Sequence, residues 1–274
     1  MCSYVADHGL DDFDLALNVL KEFTKRFTAE LSIRTFILSD QERTLSVLRD
    51  WAGDPNYHVR RLASEGSRPR LPWAMRLPAL MADPAPLLPI LELLKDDSEE
   101  YVRRSVANNL NDIAKDHPDI VAGIAGEWLR DATPERAKLV RHACRTLIKQ
   151  GHKATLSALG YGPPQLSLAA FEIKTKVVRF GEALLFDISL QSEAATDQAL
   201  ILDYVVHHRK ANGKTTAKVF KWKNVTLKAG VAMSAARKHP MRPITTRVYY
   251  PGTHFLEILV NGESLGRAEF QLEM

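Results

Sequence analysis

One short segment combines a carboxylate, two arginines and a tryptophan within nine residues. Glu65 begins this segment, Arg68 and Arg70 follow, and Trp73 comes directly after Pro72. Two prolines and a glycine end the preceding helix and restrict the backbone, so these side chains have limited positions. The segment is too specialised for a generic loop. Its carboxylate and its aromatic ring are therefore candidates for a reactive site.

A further carboxylate lies earlier in the chain, and its role stays open. Glu30 follows two phenylalanines on a predicted early helix and has Arg34 at the i+4 position. Glu30 and Glu65 could equally be structural partners of Arg34 and Arg61, and Trp73 could fill the core. Spacing alone does not choose between these interpretations.

Other signatures of catalysis are missing from the sequence. There is no P-loop, no GxGxxG after a strand and no GxSxG. Two cysteines are too few for a disulfide scaffold or a cysteine-rich zinc site, and the nine histidines lack ordered zinc-site spacing. We expect neither a metal nor a cofactor.

The basic residues are concentrated in one stretch. From Tyr204 to Phe255 the chain carries eleven Lys or Arg residues and no Asp or Glu. Lys221, Lys223 and Arg242 belong to this stretch, which also contains histidines, Trp222 and two tyrosines. A folded surface that carries only positive charge favours a polyanionic partner, and nucleic acid is the first candidate.

Length and composition predict a two-domain protein of 274 residues. The cluster Gly160-Tyr-Gly-Pro-Pro164 interrupts any helix or strand, so we place domains at 1–160 and 165–274. The chain has no long apolar run and no signal peptide. We expect no membrane contact and a cytoplasmic, reduced protein.

The first half contains an internal repeat. Asp54 to Arg61 (DPNYHVRR) returns 43 residues later as Asp97 to Arg104 (DSEEYVRR), and a weaker copy covers residues 139–142. Periods near 40 residues are typical of HEAT-type solenoids. We predict a right-handed α-solenoid whose concave wall is basic. Its predicted polar residues are Arg61, Arg104, Asn108, Asn111, Asp112, Arg141, His142 and Arg145. Exposed helix faces are often charged, but the recurring arginine pairs favour phosphate binding.

The second half alternates with a period of two. About seven short runs, including 184–190, 200–206, 219–227, 245–250, 255–260 and 267–272, predict strands, and Asn261-Gly262 predicts a hairpin turn. This pattern indicates an immunoglobulin-like β-sandwich. The fold class is thus multidomain α + β, with a helical-repeat domain followed by a sandwich.

Three motifs resemble a known family. The motifs are Phe27 to Arg34, the Glu65–Trp73 segment and the long run from Tyr101 to Pro118. They are similar to bacterial DNA alkylation-repair glycosylases with HEAT-like repeats, and residues 139–143 continue the match. The appended sandwich resembles the AlkC branch rather than the single-domain AlkD branch. The first motif departs slightly from the family pattern at Leu31-Ser32 and Thr35.

The resemblance implies a monofunctional glycosylase that acts on duplex DNA without base flipping. Its expected substrates are cationic N-alkylated bases, chiefly 3-methyladenine, with 3-methylcytosine as a second candidate. By motif position, Asp112 would stabilise the sugar cation and position water, Glu65 would assist, Trp73 would pack on the deoxyribose, and Glu30 would be a further acid. The expected phosphate or DNA contacts are Arg34, Arg61, Arg68, Arg70, Arg104, Asn108, Arg141, His142, Arg145, Lys221, Lys223 and Arg242.

The resemblance also raises two questions about the whole protein. Family members carry further helical repeats before the first motif, so we expect the chain to be a short homologue or a fragment. We expect a monomer with no obligatory protein partner, its sandwich clamping the duplex. The alternatives are a non-catalytic binder of damaged or bent DNA and, less favoured, a HEAT/Ig adaptor for an acidic protein.

Overall fold

The computed structural model describes residues 1–245 and 247–274, which form two compact units. One unit is Met1–Leu147 and the other is Ile148–Met274. Among the described residues no helix combines the length and apolar character that a membrane span requires.

Helices account for the regular structure of the first unit and continue to residue 158. The helices are α1 (Cys2–His8), α2 (Phe13–Thr24), α3 (Ile33–Ser39), α4 (Gln41–Trp51), α5 (Tyr57–Gly66), α6 (Pro78–Ala82), α7 (Leu88–Leu94, after a 3₁₀ turn at Ala85–Leu87), α8 (Glu100–Ile113), α9 (Pro118–Trp128), α10 (Pro134–Ala143), α11 (Arg145–Gln150) and α12 (Lys153–Ala158). Cys144 separates α10 from α11, because its ψ of 2° departs from the helical backbone.

Helix starts follow from local capping groups. The Asn56 side chain accepts a hydrogen bond from the backbone N–H of His58 at the start of α5. Thr133 accepts one from Arg136 at the start of α10, where Pro134 occupies the first turn. These side chains satisfy backbone donors that the first turn leaves unpaired.

Helix α8 packs against both α5 and α10, which confirms stacked helical units. The apolar stripe of α8 is buried, with Val102, Val106, Leu110 and Ile113 each at most 1% exposed. Burial of about four such side chains contributes several kcal/mol. The core of this unit thus holds the C-terminal turns of α5 and α8 side by side.

The first arginine of each repeated pair has a structural role. Arg60 Nη1 donates to the carbonyl oxygens of Asp54 and Pro55 at 2.9 and 3.1 Å. Arg103 Nη1 does the same to Asp97 and Ser98 one repeat later. Recurrence of the arginine pair therefore reflects, in part, a repeated cap on the loop that precedes α5 and α8.

The second unit contains a two-sheet sandwich. Its strands are β1 (Leu166–Ile173), β2 (Val177–Arg179), β3 (Ala183–Ser192), β4 (Gln198–Arg209), β5 (Thr215–Leu227), β6 (Ala232–Pro240), β7 (Gly252–Val260) and β8 (Glu263–Glu273). One sheet has the order β1-β3-β6 and the other β2-β8-β7-β4-β5. Alternate residues of β3, β4 and β7 fill the core, as the period of two predicted.

The predicted hairpin is confirmed, and one predicted strand is wrong. Asn261 and Gly262 join β7 to β8 with φ of 47° and 77°, as a turn matched to the strand twist requires. In the run 245–250, the described residues hold an isolated bridge between Ile244 and Arg247 and no strand. Thr246 lies outside the described residues. Tyr249 is buried instead and packs against Phe180, which fixes this segment by its side chain.

Candidate functional site

Two buried carboxylates lie on either side of one guanidinium. Glu65 is in the last turn of α5 and Asp112 is in the last turn of α8, so stacking of the repeats brings them together. Arg68 Nη1 donates to Glu65 Oε1 at 2.7 Å, and Arg68 Nε donates to Asp112 Oδ2 at 2.9 Å. Glu65 is 6% exposed and Asp112 2%. We name these three residues the acid–arginine cluster.

The other carboxylate oxygens of the cluster are also occupied. Ser105 Oγ donates to Glu65 Oε2 at 2.6 Å, and Lys115 Nζ donates to Asp112 Oδ1 at 2.9 Å. Ser105 is buried, whereas the Lys115 side chain is 43% exposed. Asp112 is therefore held by one buried partner and one partner at the surface.

Charge balance within the cluster favours a cation nearby. Burial acts to lower the pKa of the Arg68 guanidinium, but the charges of Glu65 and Asp112 outweigh burial and raise this pKa. Two carboxylates against one buried cation leave one negative charge within the cluster. Lys115 pairs with Asp112 at the surface, and Arg61, itself paired with Glu30, lies 3.7 Å from Glu65. In a buried setting that charge acts over several ångströms.

Trp73 stands on a short loop next to the cluster in sequence. Its side chain is fully exposed, and its φ of 61° lies in the left-handed region that non-glycine residues rarely adopt. Two backbone hydrogen bonds close the loop, from Ala74 N to Leu71 O at 3.3 Å and from Leu77 N to Pro69 O at 3.2 Å. The alternative in which Trp73 fills the core is wrong, because its ring is in solvent.

Glu30 joins the same network through Arg61. Arg61 Nη1 donates to Glu30 Oε2 at 2.5 Å, and its Nη2 lies 3.7 Å from Glu65 Oε1. The guanidinium also lies over the Tyr101 ring at 4.6 Å. The structural partner of Glu30 is thus Arg61, and Arg61 connects the two acids.

Two of the predicted DNA-binding arginines are not surface residues, which corrects those predictions. Arg34 is completely buried, and its guanidinium donates to carbonyl oxygens of Gly66, Arg68 and Met75. Arg68 is 7% exposed and lies between Glu65 and Asp112. The i+4 spacing placed Arg34 beside Glu30, but the side chain turns inward to carbonyl oxygens at the end of α5 and in the following loop, which accept hydrogen bonds from a cation.

Arg70 is more exposed and carries an acidic partner. Its guanidinium makes two hydrogen bonds to Asp116, at 3.0 and 2.8 Å. Such an exposed pair is weak and exchanges readily for a phosphate.

The predicted basic row on α8, α10 and α11 forms a connected group, which we name the α8–α11 basic cluster (Arg104, Asn108, His142 and Arg145). Asn108 Oδ1 lies 3.1 Å from both Arg145 Nη2 and His142 Nε2. Burial, and next the charges of Arg145 and Arg104, lower the pKa of His142. Burial, and next the charge of Arg68, lower the pKa of Arg145. Crowded cations of this kind are stabilised by an anion. Arg141 is exposed on α10.

The remaining predicted contacts lie on the sandwich unit. Lys221 and Lys223 are on β5, an edge strand of the five-stranded sheet, and Arg242 is exposed after β6. Lysines on an edge strand discourage strand pairing and are free to approach a polyanion.

Sequence reasoning missed three side chains that the structure brings to the site. Ser105 and Lys115 hold the two carboxylates, and Arg76 is exposed on the Trp73 loop. The sequence carried a signal for Lys115, because it lies three residues after Asp112 at the end of the same helix. Ser105 had none, because its contact with Glu65 is between helices 40 residues apart. In the described part of the chain no group of three His, Cys, Asp or Glu residues could hold a metal ion.

The structure defines a helical-repeat protein with a C-terminal immunoglobulin-like domain. The DNA alkylation repair enzyme family matches residues 4–161, and the C-terminal Ig-like domain of uncharacterised protein YhaZ matches residues 167–274. Uncharacterized protein YhaZ of Bacillus subtilis (strain 168) is 40% identical over 270 residues, covering 98% of this chain and 75% of that protein.

The chain belongs to the DNA alkylation repair enzyme family. Within it, the chain is a structural homologue of the alkylpurine DNA glycosylase AlkC of Pseudomonas fluorescens, solved bound to DNA containing an abasic site analog. The two share 45% identity and a TM-score of 0.92, over 100% of this chain and 76% of that chain. The expected resemblance and the expected order of domains are confirmed.

Proposed function

We propose that this protein is a DNA glycosylase that hydrolyses the N-glycosidic bond of cationic N-alkylated bases in duplex DNA. The proposed substrates are 3-methyladenine first and 3-methylcytosine second. The full-length likeness to an alkylpurine DNA glycosylase supports the reaction class. The acid–arginine cluster, with an exposed tryptophan five residues after Arg68 in the chain, supports a cationic substrate.

The observation that carries the proposal is a pair of buried carboxylates that share one guanidinium. A duplex is a polyanion, so a protein that only binds phosphates gains nothing from two buried carboxylates at its binding surface. Arg68 lies within hydrogen-bond distance of both Glu65 and Asp112. Such a site stabilises positive charge that develops on a sugar next to an already cationic base.

The reaction needs little beyond charge stabilisation and a positioned water. Alkylation makes the base cationic, so the electron pair of the breaking C1′–N bond neutralises the base as it leaves. Positive charge then grows on the deoxyribose. Asp112 would stabilise this charge and accept a proton from the water that attacks C1′. The products are the neutral free base and an abasic site.

Lys115 is the partner of Asp112 that DNA can displace. It is the exposed member of the pair, while Arg68 is buried. A phosphate near the site would attract Lys115 and leave Asp112 Oδ1 free to face the sugar. Glu65 would hold Arg68 in place and assist from the other side, and Glu30 would act through Arg61.

Trp73 and the basic residues would position the duplex. Trp73 would place its exposed ring on the cationic deoxyribose, where a cation–π contact is favourable. Arg61, Arg70, Arg141 and the α8–α11 basic cluster would bind flanking phosphates, and Lys221, Lys223 and Arg242 would add a second contact. An open surface of this kind requires no base flipping.

One observation favours the alternative, a non-catalytic binder of damaged or bent DNA. In the described structure every oxygen of Glu65 and Asp112 already accepts a hydrogen bond, so a water must share an oxygen with an existing donor or displace that donor. A binder would keep this arrangement when DNA is bound, whereas the glycosylase must displace Lys115.

The two functions are separated by product analysis. The protein is incubated with duplex DNA methylated at ring nitrogens, and the released small molecules are identified by mass spectrometry. Free 3-methyladenine with an equal number of abasic sites, and no strand break, supports the glycosylase. Tight binding with no free base establishes the binder. Unmethylated duplex of the same sequence is the control.

A further inference from the structure

Arg34 is a buried cation with no carboxylate partner among the described residues. It lies in the first turn of α3 and is 0% exposed. Burial, and next the charge of Arg68, lower the pKa of its guanidinium to about 10, with Asp112 acting in the opposite direction. The side chain is therefore charged at neutral pH, although its hydrogen bonds are to backbone carbonyls rather than to a carboxylate.

Its three hydrogen bonds converge from both ends of one segment. Arg34 Nη1 donates to Gly66 O at 2.9 Å and to Arg68 O at 2.7 Å, where the chain leaves α5. Arg34 Nε donates to Met75 O at 2.7 Å, where the chain returns from the Trp73 loop. One guanidinium thus joins the two ends of the segment that carries both Arg68 and Trp73.

Stability alone does not explain this residue. A buried charge costs several kcal/mol of desolvation, and an apolar side chain of similar volume often gives equal or greater stability. Its Nη2 has no hydrogen-bond partner in the described residues, which adds to the cost. The Trp73 backbone is in a strained region that persists only where surrounding contacts fix it. The three carbonyl contacts supply such a constraint.

We propose that Arg34 is a positioning residue that fixes the Trp73 loop and, through the Arg68 carbonyl, the acid–arginine cluster. Arg34 contacts no DNA; it acts through the loop. The effect on the loop stands on the geometry alone. The effect on base excision rests on the proposed function.

The effect on the loop is measured by hydrogen–deuterium exchange of the full chain without DNA. Arg34→Lys keeps the charge but has one nitrogen, so it cannot reach all three carbonyls. We expect exchange of the Leu77 amide, which donates to Pro69 O, to accelerate by about tenfold or more, while α8 amides stay protected. Arg34→Met tests loss of both charge and contacts.

Arg60→Lys is the matched control. Arg60 also donates to two backbone carbonyls and is partly buried, but it closes the loop before α5 rather than the Trp73 loop. It should lower the melting temperature without changing Leu77 exchange. Unchanged Leu77 exchange in both Arg34 variants would overturn the proposal.

The effect on the reaction is measured as a double-mutant cycle on single-turnover base release. We expect Arg34→Lys to lower the rate constant about 10- to 100-fold, with little change in DNA affinity. In a Trp73→Ala background the same substitution should have a much smaller effect, because the ring that Arg34 is proposed to position is already absent. Equal effects in both backgrounds would contradict action through Trp73. If the parent releases no base, the proposed function fails, while the exchange result still decides the role of Arg34.

Discussion

At the scale of single residues, Glu65 has two partners with different roles: one balances its charge and the other fixes its orientation. Arg68 neutralises one oxygen, and Ser105 Oγ fixes the other at 2.6 Å. Ser105 carries no charge, so its hydroxyl contributes orientation rather than electrostatic balance. A hydrogen bond of this kind to a charged group contributes about 1.5–3 kcal/mol.

Ser105→Ala is expected to lower base release while the protein remains folded. The substitution leaves Glu65 Oε2 without its donor, so the carboxylate loses its fixed orientation. We expect about a tenfold lower single-turnover rate and a modestly lower melting temperature. Ser67→Ala is the matched control, because Ser67 Oγ donates only to the carbonyls of Ala63 and Ser64. Equal rate losses in both variants would show that Ser105 acts through stability alone.

At the scale of helices, the sequence repeat predicted that the helical units stack but not which of their polar side chains are buried. The 43-residue repeat predicted stacked helical units, and the structure places Glu65 of α5 and Asp112 of α8 on either side of Arg68. It did not indicate which polar residues stay exposed, because a middle helix of a stack has a neighbour on each side. Asn111 belonged to the predicted polar stripe, yet it is buried and donates to Ala143 O at 2.8 Å.

Arg34 and Arg68 were unpredictable for a related reason. Helical spacing gives the direction of a side chain from its own axis, not the unpaired carbonyls of another element. The partners of Arg34 lie at least 32 residues away in the chain. Strand periodicity had the same limit at 245–250, where a buried tyrosine rather than strand pairing holds the described residues.

The α8–α11 basic cluster predicts salt-sensitive binding. Arg104→Ala and Arg145→Ala should each reduce the slope of log affinity against log salt by about one. Arg136→Ala is the control, because Arg136 is already paired with Asp96. Duplex binding is measured by fluorescence anisotropy between low and high salt. Identical slopes for Arg145→Ala and Arg136→Ala would remove this cluster from the interface.

Buried histidines make the sandwich sensitive to acid. Burial, and next the charge of Arg247, lower the pKa of His208 to about 3, and burial with the same arginine lowers that of His239 to about 4. Unfolded histidine titrates near 6.5, so the unfolded chain binds more protons below that pH. Stability is thus fully present above about pH 6.5 and falls toward pH 4, by about 2 kcal/mol per histidine at pH 5.

Denaturant unfolding followed by Trp222 fluorescence tests this dependence, since Trp222 packs against the sandwich core. We expect the midpoint to fall steadily between pH 7 and pH 5. His208→Asn should flatten the fall by removing one titrating group. A midpoint independent of pH over this range would show that these histidines are not buried in the neutral form.

At the scale of the whole molecule, charge is divided between the two halves of the chain. Residues 164–274 hold fifteen Lys or Arg against ten Asp or Glu, whereas residues 1–163 are almost neutral. In the helical unit, Glu65 and Asp112 are paired with Arg68 and Lys115. On β5, Lys221 lies opposite Asp203 in the pairing with β4. The proposed function therefore assigns duplex affinity to the second half and base release to the first.

Combined replacement of Lys221, Lys223 and Arg242 by alanine tests this division. We expect duplex affinity to fall and the salt slope to decrease by up to about three. The single-turnover rate at saturating protein should stay unchanged, because none of these residues lies in the helical unit. A loss of rate with unchanged affinity would contradict this assignment.

The most direct test of the account is single-turnover release of 3-methyladenine from methylated duplex DNA by the parent, Asp112→Asn and Glu65→Gln. The asparagine keeps the shape and the contact with Arg68 but not the negative charge. The account predicts release by the parent, a loss of about 100-fold or more in Asp112→Asn, and a smaller loss in Glu65→Gln, with DNA binding kept. Release by Asp112→Asn at the parent rate would contradict the catalytic role of this carboxylate, and tight, salt-sensitive binding with no release by the parent would contradict the glycosylase itself.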